Sequence, residues 1–307
     1  MKTVVVGAGG LGSYIGAVLE RGGHDVTLVA RGEHAAAIEA DGLRILSHEG
    51  DFAVRPTCVA SALEVEDADL TFVTVKTFSL DEVAPQLKHL AERGSVVVSL
   101  LNGVTATQRL MAHGLAADRL VDGVAYMTAF RLEPGLVQRR AAHQRIVVGG
   151  ASPSVAPVDL VRAAFEGTLV DVPVAADIRV ELWEKMAVVC SLSVLCAIGG
   201  RRMGLLRAHA FGPELQRRAI AEVMAVGRAR GVPIPADAED RIDETLDRFP
   251  DDFFPSVIHD LNGGRRTEMD DLGGAISRMG RDAGVPTPLH DAGTCAVQVA
   301  EPPLLGL

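Results

Sequence analysis

Val4-Val5-Val6-Gly7-Ala8-Gly9-Gly10-Leu11-Gly12-Ser13-Tyr14-Ile15-Gly16 decides how the rest of the chain is read. Three β-branched residues in a row suit a strand buried on both faces of a parallel sheet. Glycines at 7, 9 and 12 follow at once with the spacing G-x-G-x-x-G. Ile15, Val18 and Leu19, spaced three and four apart, predict a helix that packs back on the sheet. The glycines have steric reasons. Gly7 permits a tight turn, Gly9 lets a pyrophosphate approach the main chain, and Gly12 lets helix and strand pack closely. The helix start turns N–H groups and a partial positive charge toward such a phosphate. Gly22-Gly23-His24-Asp25 closes the helix and Val26-Thr27-Leu28-Val29 supplies a second strand. The unit is therefore βαβ, and Gly7, Ala8, Gly9, Gly10, Leu11 and Gly12 form its dinucleotide-binding turn.

The end of the second strand discriminates between cofactors. A carboxylate there would bind the ribose 2′-hydroxyl of NAD; this chain has Ala30 and then Arg31. An arginine can pair with a 2′-phosphate through a bidentate, charge-assisted contact. NADP(H) is the expected cofactor, against the plainer possibility that Arg31 is a solvated loop charge.

With 307 residues the chain has room for two domains, and with 48% hydrophobic and 23% charged residues it has the profile of a soluble globular protein. A net charge of −10 argues against nucleic acid as a partner. Cys58, Cys190, Cys196 and Cys295 have neither C-x-x-C nor zinc spacing, and no cluster suggests a metal. No run of eighteen apolar residues predicts a membrane span, and no leader precedes the first strand, so a cytoplasmic, reducing location is expected.

Strands and helices go on alternating. Leu70–Val75 ends in Lys76-Thr77, helix Leu80–Leu90 follows, and Ser95–Leu100 ends in Leu101-Asn102-Gly103 before helix Thr105–Met111. Leu43–Ser47 and Phe52–Val54 predict a pair of strands joined by a turn. Val121–Ala129, Gly135–Gln138 and Arg145–Val148 predict further strands of the same sheet. This is the pattern of a doubly wound parallel α/β sheet of the Rossmann kind. Ligands of such sheets bind outside the carboxyl ends of the strands, where Lys76 and Asn102 fall. Lys76 could hold an anion or a ribose, or be a turn lysine; Asn102 could orient a ligand, or be half of an Asn-Gly turn.

After Val172-Pro173-Val174 the β-branched runs stop, which sets the expected domains at 1–172 and 173–307, the second all-α. Asp177 is a candidate N-cap for a long helix over 178–197. Its face Ile178, Leu182, Lys185, Val189, Ser193, Cys196 carries one lysine among apolar or small residues. A lysine there has a readily lowered pKa, as a proton donor near neutrality needs, unless its head snorkels to water. Helices over 213–230, 236–248 and 272–279 are expected beyond it. The many Leu and Ala positions of this half suit a monomer or a homodimer.

Taken together, Gly7–Gly12 with Gly16, Leu28–Arg31, Val75-Lys76-Thr77, Leu101-Asn102-Gly103, Arg131-Leu132-Glu133-Pro134-Gly135, Leu182-Trp183-Glu184-Lys185, Pro255-Ser256 and Arg266-Thr267-Glu268 resemble the ketopantoate reductases over essentially the whole chain. The resemblance implies NADPH-dependent reduction of a small-molecule 2-oxo acid, 2-dehydropantoate or a close analogue. It implies that Arg31 binds the 2′-phosphate and that Lys76 and Asn102 lie where cofactor meets substrate. By the same resemblance Lys185 is the general acid, Ser256 contacts the substrate carboxylate, and Glu268 binds the substrate hydroxyl or positions the lysine.

The chain departs from the family at one place. The lysine helix of the family continues Lys-x-x-x-Asn-x-x-x-Asn, whereas Val189 and Ser193 stand at those positions here. Residues 185, 189 and 193 share a helix face, so both should line the substrate pocket. A valine in place of an amide favours a less polar keto acid or ketone. Two other readings compete: another two-domain dehydrogenase, such as an opine or β-hydroxyacid enzyme, and a nucleotide sensor without catalysis.

Overall fold

The computed structural model describes residues 1–140, 144–199 and 202–301. The chain divides into two compact units: Met1–Leu101 with Thr105–Ile178, and Asn102–Val104 with Arg179–Leu307.

The first unit opens with β1 (Lys2–Val6), α1 (Gly10–Arg21), β2 (Asp25–Val29) and α2 (Gly32–Asp41). A hairpin of β3 (Leu43–Leu46) and β4 (Phe52–Val54) precedes β5 (Thr57–Val59), β6 (Leu70–Val73), α3 (Leu80–Ala91), β7 (Val96–Ser99) and α4 (Ala106–Ala112). The unit ends with β8 (Leu120–Tyr126), β9 (Ala129–Glu133), β10 (Leu136–Arg139), β11 (Arg145–Gly150) and α5 (Ala156–Ala164).

Seven strands form the main sheet in the order β11-β8-β7-β6-β1-β2-β5, parallel except for β11, which runs antiparallel to β8. From β1 the chain winds outward through β2 and β5 in one direction, and through β6, β7 and β8 in the other. The winding reverses between β1 and β6, where an open α/β sheet binds its ligand. Side-chain alternation along β1 shows why the sheet is covered on both faces. Val5 joins one core with Ile15, Leu28 and Phe72, while Val4 and Val6 join another with Leu80 and Leu87.

Two strand expectations are corrected. The stretch 121–129 is not one strand, since β8 stops at Tyr126 and β9 begins at Ala129. Gly135–Gln138 does not extend the main sheet: β10 lies in a second sheet, order β4-β3-β10-β9. The Glu133-Pro134-Gly135 turn, with Gly135 at φ +74°, reverses the chain straight after β9. Leu43, Ile45 and Val137 of this small sheet then bury in the same core as Tyr14 and Val18, so it packs over α1.

Past the expected boundary at 172 the chain still pairs with the first unit. The Val148 N–H donates to the Pro173 carbonyl at 3.0 Å and the Ala175 N–H to the Val148 carbonyl at 2.9 Å.

The second unit contains α6 (Ile178–Ile198), α7 (Met203–Arg207), α8 (Gly212–Ala229), α9 (Ala238–Asp247), α10 (Ser256–Asn262), α11 (Gly273–Ala283) and α12 (Pro288–Ala300), with no strand among its described residues. Small residues let its helices approach. A methyl at Gly227 of α8 would lie 2.8 Å from the Trp183 ring of α6, and one at Gly293 of α12 would overlap Val194. Among the described residues no helix is long and apolar enough to cross a membrane.

Candidate active site

The first unit carries the glycine turn expected to receive a phosphate. Gly7 sits at φ +108°, and a methyl there would lie 2.7 Å from the Val75 amide nitrogen, so only glycine fits. A methyl at Gly12 would collide with the Gly7 carbonyl and the Thr74 hydroxyl. That hydroxyl donates to the Gly7 carbonyl at 2.7 Å and so ties the turn after β1 to the end of β6. At Gly9 a methyl would meet nothing within 4 Å. No neighbour in the chain demands a glycine there, which fits a position left bare for an approaching pyrophosphate.

The first N–H of α1 to bond back is that of Ser13, to the Gly9 carbonyl at 3.0 Å. Those of Gly10, Leu11 and Gly12 leave the helix start undirected toward any earlier turn, and no side chain caps it. The Ala8 N–H is held by the Val29 carbonyl at 3.3 Å. Gly10 serves a purpose the fingerprint does not state: a methyl there would strike the Ala129 carbonyl of β9.

Arg31 follows β2 and stands as N-cap of α2. Its Nε donates to the Ala60 carbonyl at 3.0 Å, its side chain is 62% exposed, and Glu82 lies 3.8 Å from one terminal nitrogen. The anchored Nε leaves the guanidinium's outer edge available to an anion. Lys76, half-buried, follows β6 and precedes a single turn of 3-10 helix. The glycine turn, Arg31 and Lys76 thus gather at the carboxyl ends of β1, β2 and β6.

The remaining candidates belong to the second unit. Asn102 does so although it follows β7: Val104 packs on the helical core, and Gly103, at φ +99°, approaches the Asp271 carbonyl. On α6, Trp183 is buried in the core while Glu184 accepts two bonds from Arg241, at 2.6 and 3.0 Å. Lys185 is next and is half-buried. Burial lowers its pKa to about 8, and the neighbouring Glu268 carboxylate works against that fall. Glu268 is itself buried, in the turn between α10 and α11, and its carbonyl accepts the N–H groups of Asp271 and Leu272 at 3.1 and 3.0 Å. Thr267 is fastened beside it through bonds to the Glu301 carboxylate.

Val189, one turn beyond Lys185, is half-buried against the helical core. Ser193 is fully buried, and its hydroxyl donates to the Val189 carbonyl at 2.7 Å. Ser256 is the exposed first residue of α10. The fold therefore brings Lys185 and Glu268 together, keeps Val189 one turn along α6 from Lys185, and turns the Ser193 hydroxyl along its own helix. Among the described residues no group of His, Cys, Asp and Glu could hold a metal. Sequence reasoning missed Thr74, whose hydroxyl locks the glycine turn; its signal was a threonine at the end of a buried strand.

The family model "Ketopantoate reductase PanE/ApbA" matches residues 3–153, and that of the family's C-terminal part matches residues 177–301. A 2-dehydropantoate 2-reductase of Halobacterium salinarum is 31% identical over 94% of this chain and 95% of its own. The crystal structure of a PanE/ApbA family ketopantoate reductase from Ralstonia eutropha superposes with a TM-score of 0.87 at 31% identity, covering 98% of each chain. A D-mandelate dehydrogenase solved with NADH and anilino(oxo)acetate has the same fold, with a TM-score of 0.86 at 22% identity over 98% of each chain.

Proposed function

This chain belongs to the ketopantoate reductase PanE/ApbA family, and from that premise we propose that it uses NADPH to reduce 2-dehydropantoate, or a less polar 2-oxo acid of similar size, to the 2-hydroxy acid. The observation that carries the reading is Lys185, an amine whose burial brings its pKa to about 8 beside a buried carboxylate. An acid with that pKa is mostly protonated at neutral pH and gives up its proton readily.

A reduced nicotinamide held by the glycine turn of Gly7–Gly12 would supply the hydride that the ketone carbon receives. Lys185 donates a proton to the ketone oxygen and, while charged, stabilises the alkoxide that develops there. Glu268 helps to keep the amine charged before the transfer. Ser256 receives the substrate carboxylate, and Lys76 and Asn102 orient the reactants, roles that rest on the family resemblance. Arg31 takes the 2′-phosphate, supported by its exposed guanidinium beyond β2.

The less polar substrate is favoured by Val189, which offers no hydrogen bond one turn from Lys185. NADPH oxidation with 2-dehydropantoate and with 2-oxoisovalerate, which lacks its hydroxymethyl group, tests this. Val189→Asn should shift the ratio of the two kcat/KM values toward 2-dehydropantoate by about tenfold or more. An unchanged ratio would refute a role for Val189 in substrate choice.

A further inference from the structure

We propose that His34 is a positioning residue for cofactor selection: it clamps the first turn of α2 to α1 and to the β9–β10 turn, and so holds Arg31 where a 2′-phosphate arrives. The proposal rests on the reading of Arg31 given above.

His34 is buried in the first turn of α2. One ring nitrogen, Nε2, lies 3.1 Å from the Ser13 hydroxyl oxygen of α1, and the other, Nδ1, lies 3.0 Å from the Gly135 amide nitrogen. A main-chain N–H can only donate, so Nδ1 accepts. A neutral imidazole then carries its proton on Nε2 and donates it to Ser13. Burial, aided by the charge of Arg131, brings the ring's pKa to about 4, so this arrangement persists throughout the neutral range.

The clamp is rigid at its far side as well. The Gly135 carbonyl accepts the Arg44 N–H at 2.9 Å, and a methyl on Gly135 would lie 3.2 Å from the Ala37 side chain of α2. The Arg-Leu-Glu-Pro-Gly motif thereby gains a purpose, since it sets the turn that meets His34.

His34 shares this end of α2 with two weaker holds, the Arg31 Nε bond to the Ala60 carbonyl and the packing of Ala35 on the core. His34 and Ile38 are its only buried residues, and Ile38 makes an apolar contact with no directional preference. Arg31, the N-cap, offers no side-chain cap, because a guanidinium has only donors and the helix start needs an acceptor. The helix begins with Gly32 at φ +61°, directly after Arg31, a bend whose direction depends on the helix being held. Rotation of α2 would pull on Arg31 against its Nε bond to the Ala60 carbonyl and so shift the guanidinium at the end of β2.

The test compares kcat/KM for NADPH and NADH in the wild type, His34→Ala, His34→Asn, Arg31→Ala and the Arg31/His34 double alanine variant. His34→Ala should cut the preference for NADPH about tenfold, corresponding to loss of one well-placed charged contact. His34→Asn, whose amide oxygen can accept from Gly135, should restore most of it. In the Arg31→Ala background the histidine substitution should change the preference no further. Equal loss with both cofactors, or a selectivity effect that adds to that of Arg31→Ala, would overturn the proposal. If Arg31→Ala itself leaves the preference unchanged, the 2′-phosphate reading fails and this inference falls with it. Should His34→Ala fail to fold, His34→Asn and Ser13→Ala supply the comparison, the latter with a smaller shift in the same direction.

Discussion

Lys185 shows how one side chain's chemistry is set by two opposing influences. Burial draws its pKa down to about 8, and Glu268 resists the fall. A general acid must start protonated, so kcat should decline as pH rises through that value. Glu268→Gln removes the opposing charge, lowers the lysine pKa further, and should move the basic limb of the kcat–pH profile to lower pH. Activity at pH 8 would then suffer more than at pH 6.5. A limb that stays in place would mean that Glu268 does not act through Lys185. The lysine itself was legible in sequence as the one charge on an apolar helical face. The lowering of its pKa was expected too, but the opposing influence of Glu268 was not legible from spacing, because that carboxylate comes from a distant turn between two other helices. Ser193 was hidden for a different reason: a short hydroxyl can bond its own helix as easily as a ligand, and spacing does not say which.

Elements were legible in proportion to how local their causes are. The turn after β1 follows from sterics within a few residues, and Gly7 and Gly12 are required as expected. The partition of strands between two sheets depends on distant partners, and alternating residues such as those of β10 suit either sheet. Gly10 is a small example, since its neighbour Ala129 enters from β9. Helix crossings are similarly invisible. At Gly293 of α12 an added methyl would overlap Val194 of α6, which is fully buried and has no room to retreat. Gly293→Ala should cost about 1–3 kcal/mol of stability, read as a Tm several degrees lower in thermal unfolding of the full chain. An unchanged Tm would mean that α6 and α12 can part freely there.

At the scale of the whole molecule the chain consists of two units with separate cores, one built on a sheet and one on helices. The change of character near residue 172 was visible in the loss of β-branched runs. The main-chain bonds that carry the first unit's pairing through Ala175 were not, because they need only backbone. A net charge of −10 gives the molecule no general attraction for a phosphorylated cofactor. On the proposed function, recognition is local, through the N–H groups at the start of α1 and through Arg31, and catalysis depends on the Lys185 amine of the helical unit. The most direct test of that claim is the kcat for NADPH-dependent reduction of 2-dehydropantoate or 2-oxoisovalerate by Lys185→Ala, with NADPH affinity measured separately by fluorescence. The account predicts that kcat falls by about 10²–10⁴ while the Kd for NADPH stays within about twofold. A variant that keeps kcat within about tenfold of the wild type would contradict it.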